Sequence, residues 1–262
     1  MTEVRRVEAN GLSFRCRLDG SDHNAPWVVF SNSIGTDLSV WDEQVAALGE
    51  RFRVLRYDQR GHGGTGVPTG PCDFEQLGGD LVALLDHFRI ERCRFVGLSM
   101  GVPTGLQVVS KHPKRIERLV LCDGQAATAP GGAAAWEERI EQARTKGMSV
   151  IADAMIARWF APAFIAAGKA DRVRAMIAST PVDGFAACAK ALQSYAFTDV
   201  LQTIRVPTVL VVGARDGAMP VTMARMGDAI AGAELIEITD AGHIPNVEQP
   251  VAFNRALLGF LQ

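Results

Sequence analysis

The chain has 262 residues, of which 48% are hydrophobic and 21% are charged; these values are typical of a folded globular protein and exclude a disordered, collagen-like or coiled-coil chain. Its 27 Lys and Arg residues nearly balance 29 Asp and Glu residues, so the net charge is only -2. No general positive field is available to hold a nucleic acid or an anionic membrane, and we expect neither as a partner.

Cysteine usage and hydropathy predict the compartment. The five cysteines are widely spaced and never arranged as C-x-x-C, so the sequence predicts neither a disulfide framework nor a zinc site. No run of about 18 apolar residues follows the charged N-terminus or occurs elsewhere in the chain. We therefore expect a soluble, cytoplasmic protein.

The first elements along the chain are two predicted strands, 3–9 and 12–18, in which apolar and polar residues alternate. Asn10 and Gly11 between them are residues that a tight hairpin turn prefers. Continuous apolar runs, typical of buried parallel strands, follow at 27–30, 52–57, 93–97, 118–122 and 208–212, and a last strand is predicted at 234–238. These patterns predict a mostly parallel, eight-stranded sheet.

Helical spacing between the strand runs predicts helices on both faces of this sheet, at 77–88, 102–110, 220–231 and 248–261. The alternation stops within 124–197, where no strand run appears. Ala-rich stretches there predict helices at 131–143, 148–161, 166–178 and 184–195. We therefore predict an α/β core formed by 1–123 and 198–262, interrupted by a helical cap at 124–197.

A G-x-S-x-G motif at 97–101 stands where a predicted strand ends and a helix begins. Such a turn holds its central serine, here Ser99, in a strained conformation that needs small neighbours and projects the hydroxyl above the sheet. The pentapeptide alone is weak, because chance produces it in about one chain of this length in ten. The alternative interpretation is a glycine-rich turn with a capping serine.

A serine nucleophile requires a base and a group that orients the base. Asp216 follows the predicted strand 208–212, and His243 follows the next strand. Ligand sites of open α/β sheets converge at the carboxyl ends of their strands. The chain order Ser99, Asp216, His243 is also the order of α/β-hydrolases and differs from that of chymotrypsin and subtilisin.

Two residues compete for these roles. Asp240 is another carboxylate at a strand end, and Asp216, which precedes Gly217, could be an ordinary turn residue. His62 in the glycine-rich loop 58–63 is the only histidine that competes with His243, although a single histidine in such a loop is more often a hydrogen-bonded structural residue. The chain order favours Asp216 and His243.

Taken together, these motifs resemble those of α/β-hydrolases, and more narrowly those of the 3-oxoadipate enol-lactonases of bacterial aromatic-acid degradation. The resemblance covers nearly the whole chain and rests on the segments 30–37, 57–63, 97–101, 213–216 and 241–245. Ser-Asn-Ser at 31–33 is the narrowest feature, because most α/β-hydrolases have a His-Gly pair there. Two positions depart from the pattern: Val102 replaces a common glycine, and Thr65 replaces a common serine.

The resemblance implies a reaction and a set of roles. Ser99 would attack the lactone carbonyl, His243 would take its proton, and Asp216 would orient the imidazole. The backbone amides of Met100 and Ser33 would stabilise the oxyanion. The implied reaction is hydrolysis of 3-oxoadipate enol-lactone to 3-oxoadipate through a serine acyl-enzyme, with no metal or organic cofactor.

The implied substrate is a small anionic lactone, whose carboxylate needs a cation or a strong donor within an apolar pocket. The predicted cap offers four cations and two tryptophans: Arg139, Arg144, Lys146, Arg158, Trp136 and Trp159. Most such cations lie on solvated helix faces, and Arg139, Arg144 and Trp136 are the preferred candidates. A homo-oligomer is compatible with the sequence but not required by it.

Other functions remain open at this point, because one fold serves many substrates. The same triad serves carboxylesterases, carbon–carbon bond hydrolases and cofactor-free haloperoxidases or perhydrolases. A protein of another class, a small-molecule sensor that uses the hydrolase pocket without turnover, is also conceivable. Release of nitrophenol from p-nitrophenyl acetate that depends on Ser99 would distinguish an enzyme from a sensor.

Overall fold

The computed structural model describes residues 3–262. Its first element is the expected hairpin of β1 (Glu3–Ala9) and β2 (Leu12–Asp19), which pair antiparallel. Asn10 and Gly11 have φ angles of 42° and 80°, as the two-residue turn between twisted strands requires.

Six further strands complete one eight-stranded sheet of order β1-β2-β4-β3-β5-β6-β7-β8. They are β3 (Trp27–Ser31), β4 (Arg53–Tyr57), β5 (Cys93–Leu98), β6 (Ile116–Cys122), β7 (Thr208–Gly213) and β8 (Glu234–Ile238). β2 and β4 run antiparallel, whereas the strands from β4 to β8 are parallel. Both faces of the sheet are covered, which explains why β7 is buried along its whole length.

Helices from the two parts of the core pack on the faces of the sheet. They are α1 (Asp42–Leu48), α2 (Phe74–His87), α3 (Gly101–Lys111), α10 (Met219–Asp228), α11 (Pro245–Glu248) and α12 (Pro250–Leu261). Alternating strand residues join opposite hydrophobic clusters: Val96 lies in the cluster that includes Phe253 of α12, and Phe95 lies in the cluster that includes Leu106 of α3. The helix α1 was not predicted from the sequence.

The segment between β6 and β7 is helical throughout its regular structure. It contains α4 (Gly132–Lys146), α5 (Met148–Trp159), α6 (Pro162–Ala166), α7 (Asp171–Ser179), α8 (Val182–Gln193) and α9 (Thr198–Leu201). Ile140, Ile151 and Phe185 from these helices share one hydrophobic cluster with Val96 and Val120 of the sheet. The helical segment therefore packs directly on the core.

Two predicted helix boundaries are wrong. The stretch 166–178 is not one helix, because α6 ends at Ala166 and α7 begins at Asp171, and Gly168 in the connection has a φ of 69°. The helix predicted at 220–231 ends at Asp228. Alanine content predicted the first segment and helical spacing the second, but neither pattern could show where the helix ends. No helix within residues 3–262 is long and apolar enough to cross a lipid bilayer.

Candidate active site

Ser99 lies on the sharp turn between β5 and α3, and its φ of 54° is unusual for a residue with a side chain. The turn is possible because its flanking residues are glycines. A Cβ atom at Gly97 would lie 2.4 Å from the carbonyl oxygen of Gly101, and a Cβ at Gly101 would lie 2.4 Å from that of Ser31. The Ser99 amide donates a hydrogen bond to Cys122 on the neighbouring strand (2.8 Å), which fixes the strained residue in place.

Three predicted residues meet at the carboxyl end of the sheet. Ser99 Oγ lies 2.9 Å from His243 Nε2, and His243 Nδ1 lies 2.6 Å from Asp216 Oδ2. Because an ionised carboxylate only accepts hydrogen bonds, the imidazole donates from Nδ1 and is free to accept the serine proton at Nε2. His243 and Asp216 are 6% and 7% exposed. The arrangement can generate a nucleophilic alkoxide on Ser99.

The loop that carries His243 is held by the helical segment. The His243 amide donates to the carbonyl of Trp159 at the end of α5 (2.9 Å), and the two rings lie 5.3 Å apart. The buried Glu248 carboxylate accepts hydrogen bonds from the amides of Gly242 (2.7 Å) and Ala161 (2.8 Å). These contacts join the histidine loop to the junction of α5 and α6.

The two competing residues have other partners. His62 is fully buried and donates from Nδ1 to the carbonyl of Arg60 (3.0 Å). Burial lowers the pKa of His62 to about 4, so its ring is neutral at physiological pH. Asp240 is exposed and pairs with Arg215. Neither residue belongs to the hydrogen-bonded chain of Ser99, His243 and Asp216.

The structure accommodates both departures from the family pattern. A Cβ at Gly124 would lie 2.5 Å from Val102 Cγ2, so the missing side chain at 124 makes room for the valine. Thr65 Oγ1 donates to the carbonyl of Asp58 (2.7 Å) and accepts from the amide of Arg15 (2.9 Å), which are bonds that a serine hydroxyl can also make. Neither change disturbs the three site residues.

Sequence reasoning missed Asp123, which follows β6 directly. It is fully buried, has a φ of 42°, and accepts a hydrogen bond from the amide of Gly213 through Oδ1 (2.8 Å). Its Oδ2 has no hydrogen-bond partner within the described part of the chain. Burial first, and then the nearby Asp216 carboxylate, raise the Asp123 pKa well above its ordinary value. The rule that identified Asp216, a carboxylate just after a buried strand, also applies to Asp123.

The metal-binding capacity of this cluster can be tested on its geometry. Asp123, Asp216 and His243 offer ligand atoms within 4.8 Å of one another. Two ligands of a tetrahedral zinc ion lie about 3.3 Å apart, because each stands about 2.0 Å from the metal. The 2.6 Å between His243 Nδ1 and Asp216 Oδ2 is that of a hydrogen bond and does not fit two ligands of one ion.

A cavity of about 460 Å³ lies over Ser99 and His243. Its apolar wall includes Ile34, Ile151 and Met155, and Trp136 and Trp159 also line it. The predicted candidates Trp136 and Trp159 therefore both face the space above the serine.

Two of the predicted cations, Arg139 and Arg158, also line this cavity. Arg139 is half-buried, stands 4.6 Å from the ring of Trp136, and has a pKa lowered by burial and by Arg158. Neither arginine forms an ion pair with any residue in 3–262. Glu138 lines the cavity too, but its carboxylate accepts from the Gln142 amide (3.1 Å).

The structure does not place the predicted substrate contact Arg144 at this cavity. Arg144 and Lys146 are exposed on α4 and do not line the cavity. Arg144 follows Arg139 by five residues, which places it about 140° further around the helix. The two side chains therefore leave the helix in different directions, and only Arg139 faces the cavity.

The two candidate oxyanion donors lie beside the cavity rather than in its lining. Ser33 and Met100 are fully buried, and their neighbours Ile34 and Ser99 line the cavity. Neither backbone amide makes a hydrogen bond to another residue of the described chain. Both N–H groups are therefore available as donors, and their role as an oxyanion hole stays a prediction.

Comparison with known proteins decides the family. A model of the alpha/beta hydrolase family matches residues 28–256 of this chain. The chain belongs to the α/β-hydrolase family. The predicted fold class is confirmed by this match and by the structural neighbours of this α/β-hydrolase.

The relatives of this α/β-hydrolase include enzymes of the predicted narrower group. 3-Oxoadipate enol-lactonase 2 of Acinetobacter baylyi is 37% identical over 237 residues, which cover 88% of this chain and 87% of that protein. The crystal structure of the enol-lactonase from Burkholderia xenovorans has 40% identity and a TM-score of 0.93, and the match covers 98% of this chain and 99% of that one. The resemblance to enol-lactonases is therefore confirmed.

A second group of relatives has a different printed activity. The putative carbamate hydrolase RutD of Rhizobium rhizogenes is 30% identical over 249 residues, covering 91% of this chain and 94% of its own length. The relatives are thus hydrolases of more than one substrate class, and family membership alone does not define the bond that is cleaved.

Proposed function

We propose that this protein hydrolyses 3-oxoadipate enol-lactone to 3-oxoadipate through an acyl-enzyme on Ser99, within bacterial aromatic-acid degradation. One observation carries the proposal: Ser99 and His243, which are hydrogen-bonded in a chain with Asp216, line the same cavity as Arg139 and Arg158, which have no ion-pair partners among the described residues. We call Ser99, His243, Asp216 and Asp123 the floor of this cavity, and we call the part of its lining that comes from α4 and α5 the roof. The similarity to two enol-lactonases supports the same assignment.

The first half of the reaction uses the contacts of the floor. Ser99 Oγ attacks the lactone carbonyl carbon while its proton passes to His243 Nε2, which lies 2.9 Å away. Asp216 stabilises the imidazolium through its 2.6 Å hydrogen bond. The amides of Met100 and Ser33 are the proposed donors to the oxyanion, and one such donor typically contributes about 3 kcal/mol.

Collapse of the tetrahedral intermediate breaks the ring carbon–oxygen bond. The leaving oxygen departs as an enol after taking the proton from His243, and the acyl group stays on Ser99. A water molecule then gives a proton to His243 and attacks the ester, which releases the free acid and restores the serine. An enol oxygen is a better leaving group than an alcohol oxygen, so ring opening needs little further assistance. The enol then tautomerises to the ketone of 3-oxoadipate by moving its proton from oxygen to carbon.

The roof of the cavity accounts for the proposed preference for an anion. A desolvated carboxylate needs a charged donor, and its hydrogen bond to such a group contributes about 1.5–3 kcal/mol. Arg139 is the stronger candidate because it is half-buried against Trp136, whereas Arg158 is exposed. Trp136 and Trp159 would cover the lactone ring and exclude water.

A direct assay tests the proposal. Purified protein is incubated with 3-oxoadipate enol-lactone, and loss of the lactone chromophore is followed beside hydrolysis of p-nitrophenyl acetate. We expect kcat/KM for the lactone to exceed that for the aryl acetate by about 100-fold or more, because only the lactone bears a carboxylate for the roof arginines. Equal values for both compounds would contradict the lactonase assignment and leave a general esterase.

A further inference from the structure

A second carboxyl group stands beside Asp216 at the same edge of the sheet. Asp123 follows β6 and Asp216 follows β7, and these strands are neighbours in the sheet. One carboxylate oxygen of each residue and one ring nitrogen of His243 lie within 4.8 Å of one another. The mechanism described above gives Asp123 no role, although it also lines the cavity that contains Ser99.

The backbone holds Asp123 in this position. Its φ of 42° lies in the left-handed region, where aspartate and asparagine are tolerated better than most residues. Oδ1 accepts from the amide of Gly213, and Gly213 in turn accepts a hydrogen bond from the amide of Asp216 (3.0 Å). Asp123 is thereby tied to the loop that carries Asp216, while its Oδ2 has no hydrogen-bond partner in the described chain.

Two carboxyl groups at this distance in a buried site cannot both be ionised at neutral pH. Asp216 is the charged member, because it accepts the 2.6 Å hydrogen bond from His243. Asp123 is fully buried and has no cation partner within residues 3–262, so its neutral form is favoured. The titratable groups that face Asp123 are Asp216, His243 and the buried thiol of Cys122, whose pKa is raised by burial and by Asp123.

We propose that Asp123 and Asp216 form a carboxyl pair that holds one proton and one negative charge, with the charge on Asp216 and the proton on Asp123. Asp123 is a reserve acid, which takes no part in the reaction while Asp216 is ionised. The proposal rests on the serine mechanism above and adds one statement: when the charge on Asp216 is removed, Asp123 ionises and stabilises the imidazolium in its place.

A double-mutant cycle on p-nitrophenyl acetate tests the pair. Asp123→Asn is a neutral copy of the protonated acid, and we expect its kcat/KM to stay within about threefold of wild type. Asp216→Asn should lower kcat/KM about 100-fold. This is less than the roughly 10⁴-fold loss known for a serine triad without its aspartate. In the Asp216→Asn background, Asp123→Asn should lower kcat/KM about 100-fold further, although the same change has almost no effect alone.

The matched control is Asp240→Asn, which removes an exposed carboxylate at another strand end. We expect less than a twofold effect of this change in both backgrounds. Equal activity of Asp216→Asn and the double variant would overturn the proposal, because Asp123 would then contribute nothing. A purely structural role of Asp123 predicts equal losses in the two backgrounds, which would also overturn it.

The pH profile gives an independent readout. A neutral Asp123 predicts that Asp123→Asn leaves the acidic limb of kcat/KM unchanged. If Asp123 were ionised, Asp123→Asn would remove a negative charge beside His243 and move that limb to lower pH, which would overturn the proposal. Melting temperatures establish folding, and Asp123→Gly, which suits a φ of 42°, replaces Asp123→Asn if the latter does not fold.

The outcomes separate this inference from the proposed function. Full p-nitrophenyl acetate activity of Ser99→Ala would overturn the serine mechanism and with it the carboxyl pair. If Ser99→Ala is inactive, and if Asp216→Asn and the double variant have equal activity, only the carboxyl pair is overturned. Substrate preference has no influence on either result, because the ester probe lacks the carboxylate that the roof would bind.

Discussion

The floor and the roof of the cavity differ in how their polar groups are satisfied. On the floor, Ser99, His243 and Asp216 bond to one another, and Asp123 bonds to the backbone of β7. On the roof, Arg139 and Arg158 have no ion-pair partners within residues 3–262. The floor thus has its hydrogen bonds before a ligand arrives, apart from Oδ2 of Asp123, whereas the two roof arginines lack an ion-pair partner in the described chain. Under the proposed function, the floor carries the chemistry and the roof selects the substrate.

The largest expected effect concerns the floor. Ser99→Ala removes the nucleophile, and we expect kcat for any ester or lactone to fall by at least about 10⁴-fold while KM changes little. Ser110→Ala on the exposed side of α3 is the matched control and should be silent. Comparable activity of Ser99→Ala and Ser110→Ala would show that Ser99 is not the nucleophile.

A second test addresses the contact between the loop after β4 and helix α8. Gly61 and Gly184 approach so closely there that a Cβ on Gly184 would lie 2.1 Å from the Gly61 carbonyl oxygen. Buried His62 at this contact has a pKa lowered from 6.5 to about 4. The unfolded chain binds this proton near pH 6.5 and the folded chain does not, so stability is complete above pH 6.5 and declines towards pH 4. The full loss is about 3 kcal/mol.

His62→Asn should remove this component, because an asparagine amide can donate to the Arg60 carbonyl without titrating. Urea unfolding at pH 7 and pH 4.5 measures the effect, and wild type should lose about 2–3 kcal/mol more than the variant between these values. The exposed His23→Asn should behave as wild type. An identical pH dependence of wild type and His62→Asn would show that folding does not lower the pKa of His62.

A third test addresses the roof. Arg139→Met keeps the apolar stem but removes the charge, and we expect KM for the anionic lactone to rise about 10–100-fold with kcat changed less than about threefold. p-Nitrophenyl acetate, which is neutral, should be unaffected. Arg144→Met on the exposed face of α4 is the control. An unchanged KM in both Arg139→Met and Arg158→Met would mean that the roof does not select the anion.

The smallest expected effect concerns Thr65 in the loop after β4. Thr65→Val deletes the donor to Asp58 and the acceptor for Arg15, and we expect about 1–2 kcal/mol of lost stability in urea unfolding at pH 7. Thr65→Ser keeps both hydrogen bonds and should lose less. A larger loss in the serine variant would show that packing of the threonine methyl group, rather than the hydroxyl, stabilises the loop.

The floor residues were largely predictable from the sequence. Ser99 and Asp216 follow the buried strands β5 and β7, and His243 follows the edge strand β8. The order of strands in an α/β sheet brings such positions to one edge. The triad geometry follows from local patterns that a single sequence carries. Asp123 obeys the same rule, since it follows the buried end of β6 directly, so the sequence carries a signal for this residue too.

The roof was less predictable because its residues lie on helices whose rotation depends on packing. Arg139 and Arg144 are equivalent as residue types, and only the orientation of α4 separates the one that lines the cavity from the one in solvent. The break between α6 and α7 depends on Gly168 within an alanine-rich stretch. Composition predicts helices there, but tertiary packing decides which of their faces meets the cavity.

Glu248 links the histidine loop to the start of α6. Its carboxylate binds the amides on either side of the gap between the histidine loop and the start of α6, and the amide of His243 itself bonds to the last residue of α5. Lifting the end of α5 would break these hydrogen bonds and pull the base away from Ser99. Under the proposed mechanism, Ser99 keeps its base only while the end of α5 stays bound to the histidine loop.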